Sequence, residues 1–268
     1  MKALFSALLV ALLAAPAFAQ MKVGVIASST GPTAFVGIPQ KNTVPLLPTR
    51  IGDVGVEYIY YDDASDATQT VQFVKRFLTE HKVDAFIGPT GSPNAMAVLP
   101  FIAESGTPML APVGTPAVVL PMDEQKRWVF KTTQNDGLIA DALIAHMKKN
   151  GVKTLGFIGF NDPYGEDWLK QITAAADAAG IKLAAVERYN RVDTSVSGQV
   201  LKLIAARPDA IMIAGSGTPA ALPHTTLFER GYKGQIYQTH AAANKEFLKV
   251  GGKAVEGGIL PIGPVAVA

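Results

Sequence analysis

The side chains able to recognise a small polar ligand gather in short loops rich in Gly, Pro, Ser and Thr. Gly88-Pro89-Thr90-Gly91-Ser92-Pro93-Asn94 reads as a strand-to-helix turn, with Ser92 as N-cap and Pro93 as first helical residue. Such a helix start presents free backbone N–H groups and a positive dipole end, which suits a carboxylate. The same residues equally describe a capped helix with no ligand. Ala111-Pro112-Val113-Gly114-Thr115-Pro116 follows another apolar run and can set Thr115 beside Ser92. Donors around one carboxylate contribute about 1.5–3 kcal/mol each. The loop from Ser28 to Gly37 is rich in hydroxyls and carries Phe35, but no Gly-Lys-Ser/Thr closes it, so it does not grip phosphate as a P-loop does. Gly159 to Glu166, with Tyr164, and Gly215-Ser216-Gly217-Thr218-Pro219 complete the set. A dinucleotide reading of the last loop fails. It follows a late strand, lacks the third glycine, and has His240 where the next strand would end on an acid.

Catalytic constellations are weak. Of the four histidines, His81, His146, His224 and His240, the first two fall on or beside helical surfaces, where a solvated side chain is expected. There is no Gly-x-Ser-x-Gly elbow, no His-Glu-x-x-His and no metal-ligand spacing of acids. Asp62-Asp63 reads equally as a metal pair or as a turn with a helix cap. Zero cysteines remove a thiol nucleophile, a disulfide framework and Cys-ligated metal. No cofactor and no resident metal are expected. The formal net charge of +2 comes without a basic run, so nucleic acid is not an expected partner. With 49% hydrophobic and 17% charged residues, the chain can build a substantial core and is not disordered.

These loops need strands and helices to hold them. Met1 and Lys2, the apolar run Ala3–Ala15, Pro16 and Ala17-Phe18-Ala19 have the order of a secretory signal peptide cleaved after Ala19, which predicts a periplasmic product. No cysteine follows, so a lipid anchor is not expected. Beyond it, short apolar runs alternate with helical periods. Strands are expected at Lys22–Ala27, Val54–Tyr60, Val83–Ile87, Pro108–Leu110 and Trp128–Thr132, then at Lys153–Gly159, Lys182–Tyr189, Ala210–Ala214 and Gln235–Thr239. Asp66 caps the helix carrying Val71, Val74 and Leu78; Asp136 opens another, and Glu166–Ala179 puts Trp168, Ile172 and Ala175 on one face. Repeated β-α-β units predict an α/β architecture of two doubly wound lobes with parallel sheets. The seam at Thr133–Gly137 divides a first lobe, residues 20–135, from a second, residues 136–263.

Taken together, Thr30 to Gly37, Tyr61-Asp62-Asp63-Ala64, Ile87 to Ser92, Phe130 to Thr133, Asn161 to Glu166, Tyr189 to Ala214 and Arg230 to Gly234 resemble the Leu/Ile/Val-binding protein family of type I periplasmic binding fold. The resemblance runs in register along the whole chain after residue 19. It implies a non-enzymatic substrate-binding protein of an ABC importer, whose lobes close on a small-molecule ligand and then dock on a membrane permease. A ligand-sensing receptor domain on the same fold is the alternative. Carried over, Ser92 and Thr115 bind the ligand carboxylate with backbone at Val113, flanked by Phe35 and Val36, while Tyr164, Gly217 and Thr218 face them. Members that bind α-amino acids place an acid where this chain has His240. The ligand is therefore either an apolar or aromatic carboxylate, or an amino acid whose ammonium is held differently; His240 is the replacement or a neighbour of the site. Family chains also run further, so residues 264–268 are expected to begin a return crossover, leaving the first lobe incomplete and the chain unstable alone.

Overall fold

The computed structural model describes residues 20–263, so the expected signal peptide (1–19) and return crossover (264–268) lie outside the described residues. The first sheet contains β1 (Gln20–Ile26), β2 (Arg50–Ile51), β3 (Val54–Tyr61), β4 (Ala85–Ile87), β5 (Met109–Ala111) and β6 (Val129–Lys131). Its strand order is β2-β3-β1-β4-β5-β6, parallel except for the antiparallel β2. The second sheet, β10-β9-β7-β8, is wholly parallel and is built from β7 (Thr154–Phe160), β8 (Lys182–Tyr189), β9 (Ala210–Ala214) and β10 (Gln235–Gln238). The expected two-lobed α/β fold is present, with strand ends shifted by one or two residues.

Helices α1 (Ala34–Thr43), α2 (Ala67–Arg76) and α3 (Ser92–Ser105) accompany the first sheet. Those accompanying the second are α4 (Asp136–Lys149), α5 (Pro163–Ala179), α6 (Ser197–Ala205), α7 (Thr218–Glu229) and α8 (Lys245–Gly251). Helix α5 shows why the sequence folds locally as it does. Asp162 accepts the N–H groups of Tyr164 and Gly165 at 2.8 and 3.2 Å, and Pro163 opens the helix with its φ already set. Trp168, Ile172 and Ala176 then recur every fourth residue and are fully buried. Asp66 caps α2 through the Gln69 N–H as expected.

Each sheet has its own large core, and Ala220, Ala221, Ala242, Phe247 and Val255 form a smaller third cluster. Val74, Phe77, Phe86, Ile102 and Met109 anchor the first; Leu155, Phe157, Trp168, Tyr189 and Ile213 anchor the second. Strand β9 is buried at every position, as a strand covered on both faces must be. At the β5–β6 end of the first sheet burial alternates instead: Met109, Ala111 and Val129 are buried, whereas Leu110 and Phe130 are exposed. Among the described residues, no helix is long and apolar enough to cross a membrane.

Three local expectations need correction. Gly91, not Ser92, is the N-cap of α3, which makes Ser92 the first helical residue and frees its hydroxyl from capping. Asn135 takes the N-cap of α4, so Asp136 is its first residue and its carboxylate caps nothing. Phe35, Val36 and Gly37, read as loop, form the first turns of α1, where neither an acid nor a side-chain cap had marked a start.

Candidate functional site

In each sheet the strand order reverses direction at one place. The chain runs from β1 outward to β3 and then returns to β4 on the other flank of β1; likewise it runs from β7 to β8 and returns to β9. Connections leave a crevice at such a point, beyond the strands' carboxyl ends. The loops at these crevices are the Ser28–Thr33 and Gly88–Gly91 stretches in one lobe and the Asn161-Asp162 and Gly215–Gly217 stretches in the other. Hydrogen bonds brace the first crevice: Thr90 Oγ1 accepts the Ser28 N–H at 3.0 Å and donates to Gln40 Oε1 at 2.5 Å.

A cavity of about 450 Å³ lies where the two crevices face each other. Phe35, Val36, Gln40, Ser92 and Gly114 line it from one side, and Tyr164, Arg191, Ser216, His240 and Asn244 from the other. Of the residues expected at the site, Ser92, Phe35, Tyr164 and His240 line the cavity, whereas Thr115, Val113, Gly217 and Thr218 are not among its lining residues. Thr115 donates its N–H to Ser92 Oγ at 3.4 Å, while its own hydroxyl caps Ala117 N–H. The Val113 carbonyl is engaged by the Thr133 hydroxyl. Thr218 is the first residue of α7.

The lobes touch at two glycines. A Cβ on Gly217 would lie 1.7 Å from Phe35 Cε1, and its φ of 61° favours glycine in any case. A Cβ on Gly114 would lie 3.0 Å from Tyr164 Cε2 and 3.1 Å from an Asp136 carboxylate oxygen. Tyr164 is buried, its hydroxyl 2.8 Å from Thr239 Oγ1; burial, then the charge of Asp136, raises its pKa. His240 keeps a neutral ring at pH 7, because burial and then the Lys131 charge push its pKa down to about 4. Its Nδ1 makes no hydrogen bond among the described residues.

Two important residues were missed from sequence. Arg191, in the loop after β8, projects into the cavity with its Nε 2.6 Å from Asp162 Oδ2 and its Nη1 3.1 Å from Ser216 Oγ. The same rule that picked the other loops, inspection beyond each strand's carboxyl end, would have found it. Asp136 is fully buried behind Gly114 and Tyr164, with neither oxygen hydrogen-bonded. Burial, then the charge of Asp167, raises its pKa to about 7, against the opposing pull of Lys131.

Asp62 and Asp63 are not a metal pair. Asp63 is buried and accepts from Ser28 Oγ, Thr70 Oγ1, Asn94 Nδ2 and the Ser65 N–H at 2.6–3.1 Å, tying the first-lobe loops together. Asp62 accepts from Ser29 Oγ and the Ala64 N–H. No group of three or more His, Cys, Asp or Glu able to hold a metal occurs among the described residues.

Known proteins share this arrangement. A family model described as periplasmic binding protein matches residues 20–266. The chain is 25% identical, over 92% of its length and 68% of the relative's, to a Leu/Ile/Val-binding protein homolog of Brucella abortus. It is 24% identical, over 88% of its length and 65% of the relative's, to a leucine-, isoleucine-, valine-, threonine- and alanine-binding protein of Pseudomonas aeruginosa. Among solved structures, an extracellular ligand-binding receptor from Rhodopseudomonas palustris superposes with a TM-score of 0.87 at 46% identity, covering 90% of this chain and 66% of that one. A solute-binding protein of the same species, solved with 4-hydroxybenzoate, shares the fold at a TM-score of 0.78 and 21% identity, over 87% of this chain and 65% of that one. The chain thus spans about two thirds of the length of these relatives. Two sheets with opposed switch points, a cavity between them and a family match across all the described residues agree: the chain belongs to the periplasmic binding protein family.

Proposed function

We propose that this protein is the extracytoplasmic substrate-binding component of an ABC importer, exported by a signal peptide cleaved after Ala19. It takes a hydrophobic amino acid or a related small carboxylate between a first lobe, residues 20–135, and a second, residues 136–263. The observation that carries this reading is the 450 Å³ cavity enclosed by loops from both switch points. That volume suits a small organic molecule. The names of the relatives, binding proteins for branched-chain amino acids, support the class of ligand.

In this reading the ligand carboxylate sits at the N-terminus of α3. Ser92 offers its hydroxyl, Thr115 fixes that hydroxyl through its N–H, and the backbone around Val113 shapes the turn. Phe35 and Val36 cover the apolar part of the ligand from the first lobe; Tyr164 and His240 approach from the second. Gly217, leading into Thr218, receives Phe35 when the lobes meet. Ligand favours the closed arrangement because only there do both lobes touch it. The closed form then docks on a membrane permease, and no chemistry on the ligand is required.

Thermal unfolding of the purified protein against leucine, phenylalanine and small apolar and aromatic carboxylates tests the reading. A ligand at a hundred times its Kd stabilises the folded state by about 2.7 kcal/mol and raises Tm measurably. No shift with any member of the panel overturns it.

A further inference from the structure

The cavity lining carries charge of one sign only. Arg191 is the one ionised side chain among the described residues that line it; no Asp or Glu does, and His240 is neutral there. The guanidinium is held for presentation, not left to swing in solvent. It lies 4.1 Å above the centroid of the Phe160 ring, its Nε is bound to Asp162 and its Nη1 to Ser216, and its side chain is only 17% exposed. Nη2 has no partner among the described residues. Asp162 forms an ion pair with it but stands outside the cavity lining. The carboxylate also sits at the start of α5, taking the Tyr164 and Gly165 N–H groups on its other oxygen, where the helix dipole offsets part of its charge. The opposite wall adds the positive end of α3 at Ser92. Both poles of the cavity therefore attract electron-rich oxygen. The buried carboxylate that could serve an ammonium, Asp136, is closed off behind Gly114 and Tyr164.

We propose that Arg191 is the specificity-determining residue of the second lobe, reaching across the cavity to the carboxylate held at Ser92, and that it makes the site select organic acids with an apolar body over zwitterionic amino acids of the same shape. The inference rests on the binding function proposed above and narrows its ligand. A planar guanidinium offers an oxygen acceptor paired N–H donors that a point-like ammonium cannot reproduce. A zwitterion brings an ammonium into a cavity whose nearest lining charge is positive, and it loses water there without gaining a partner.

The test compares matched pairs by isothermal titration: 4-methylpentanoate with leucine, and 3-phenylpropanoate with phenylalanine. The acid of each pair should bind at least about tenfold more tightly. Arg191→Met should lower the affinity for the acids by about tenfold to a hundredfold, the worth of one or two charge-assisted bonds. For the amino acids the same loss is offset by relief of the repulsion on their ammonium, so that their affinity changes much less. The acid-to-amino-acid ratio then collapses, which a merely structural role of Arg191 would not produce. Arg191→Lys keeps a cation beside Asp162 to preserve the fold, and should lose most of the same selectivity. Leucine or phenylalanine binding as tightly as its deaminated partner, or a ratio unmoved in both variants, overturns the inference and leaves the binding function standing. Silence from every compound in the wild-type protein overturns both.

Discussion

Asp136→Asn should flatten part of the pH dependence of stability, in a direction set by where the carboxylate lies. Asp136 is fully buried and neither oxygen is hydrogen-bonded. Burial, followed by repulsion from Asp167, raises its pKa from 3.8 to about 7. The unfolded chain therefore gives up this proton near pH 4 and the folded chain only near pH 7. Between those values the unfolded state binds fewer protons, so stability falls as pH rises, and the loss is complete above about pH 7. A shift of about three pKa units at 1.36 kcal/mol each amounts to about 4 kcal/mol. His224 and His240 oppose this trend. Burial lowers each to about 4, so their contribution is present above pH 6.5 and is lost as pH falls toward 4. The informative quantity is therefore the difference between variant and wild type, in which the histidines cancel. Urea unfolding followed by circular dichroism at pH 4.5, 6 and 8 should show Asp136→Asn gaining on wild type by about 2–4 kcal/mol as pH rises across that range. A difference that is flat with pH would refute the reasoning. One that favours wild type at pH 8 would mean that attraction to Lys131 outweighs burial.

Two further outcomes follow from the same packing. Gly217→Ala puts a Cβ 1.7 Å from Phe35 Cε1 and a side chain at a φ of 61°, so lobe closure should be obstructed and ligand affinity should fall by about tenfold or more in titration. Adding Phe35→Ala should remove the steric part but not the backbone part. Asp63→Ala strips one acceptor from Ser28, Ser65, Thr70 and Asn94 at once, leaving buried donors unpaired. It should cost about 3 kcal/mol or more in urea unfolding, with unchanged stability as the result that contradicts it.

How far the sequence could be read depended on whether a residue's role was local or arose across a gap in the chain. Asp66 and the apolar spacing of Trp168 and Ile172 each act within one helix and match the expectation, although α5 begins at Pro163, three residues before the expected Glu166, with Asp162 as its cap. Strand order could not be read from spacing, yet the rule that ligands meet the carboxyl ends of strands selected loops that do border the cavity. Local signals failed where two neighbours competed for one position. Asn135 and Asp136 are both good caps, and the upstream residue won, which sent the Asp136 carboxylate inward. The glycine before Ser92 did the same. Helix α1 begins without an acid and contains Pro39, so contacts made by Phe35 and Gly37 had to define it. Arg191 was obscured differently: its meaning comes from Asp162 and Ser216, 29 and 25 residues away.

Those long-range contacts also connect the two unusual charges at the lobe junction. Arg191 is a cation presented to the cavity, whereas Asp136 is an acid whose ionisation is opposed by the burial that Gly114 and Tyr164 impose. Separating the lobes would readmit water to Asp136 and relieve that opposition; closing them restores it. A neutral Asp136 is thus the form compatible with the packed junction, and the form that a closed, ligand-loaded protein should favour. An anionic ligand at Arg191 acts in the same sense, because added negative charge nearby makes ionisation of Asp136 still less favourable. Binding of an organic acid should therefore be accompanied by proton uptake between about pH 6 and 8, read as a buffer-dependent enthalpy in titration calorimetry and abolished by Asp136→Asn. An enthalpy independent of the buffer's own ionisation heat would separate the two charges and leave Asp136 with a structural part only.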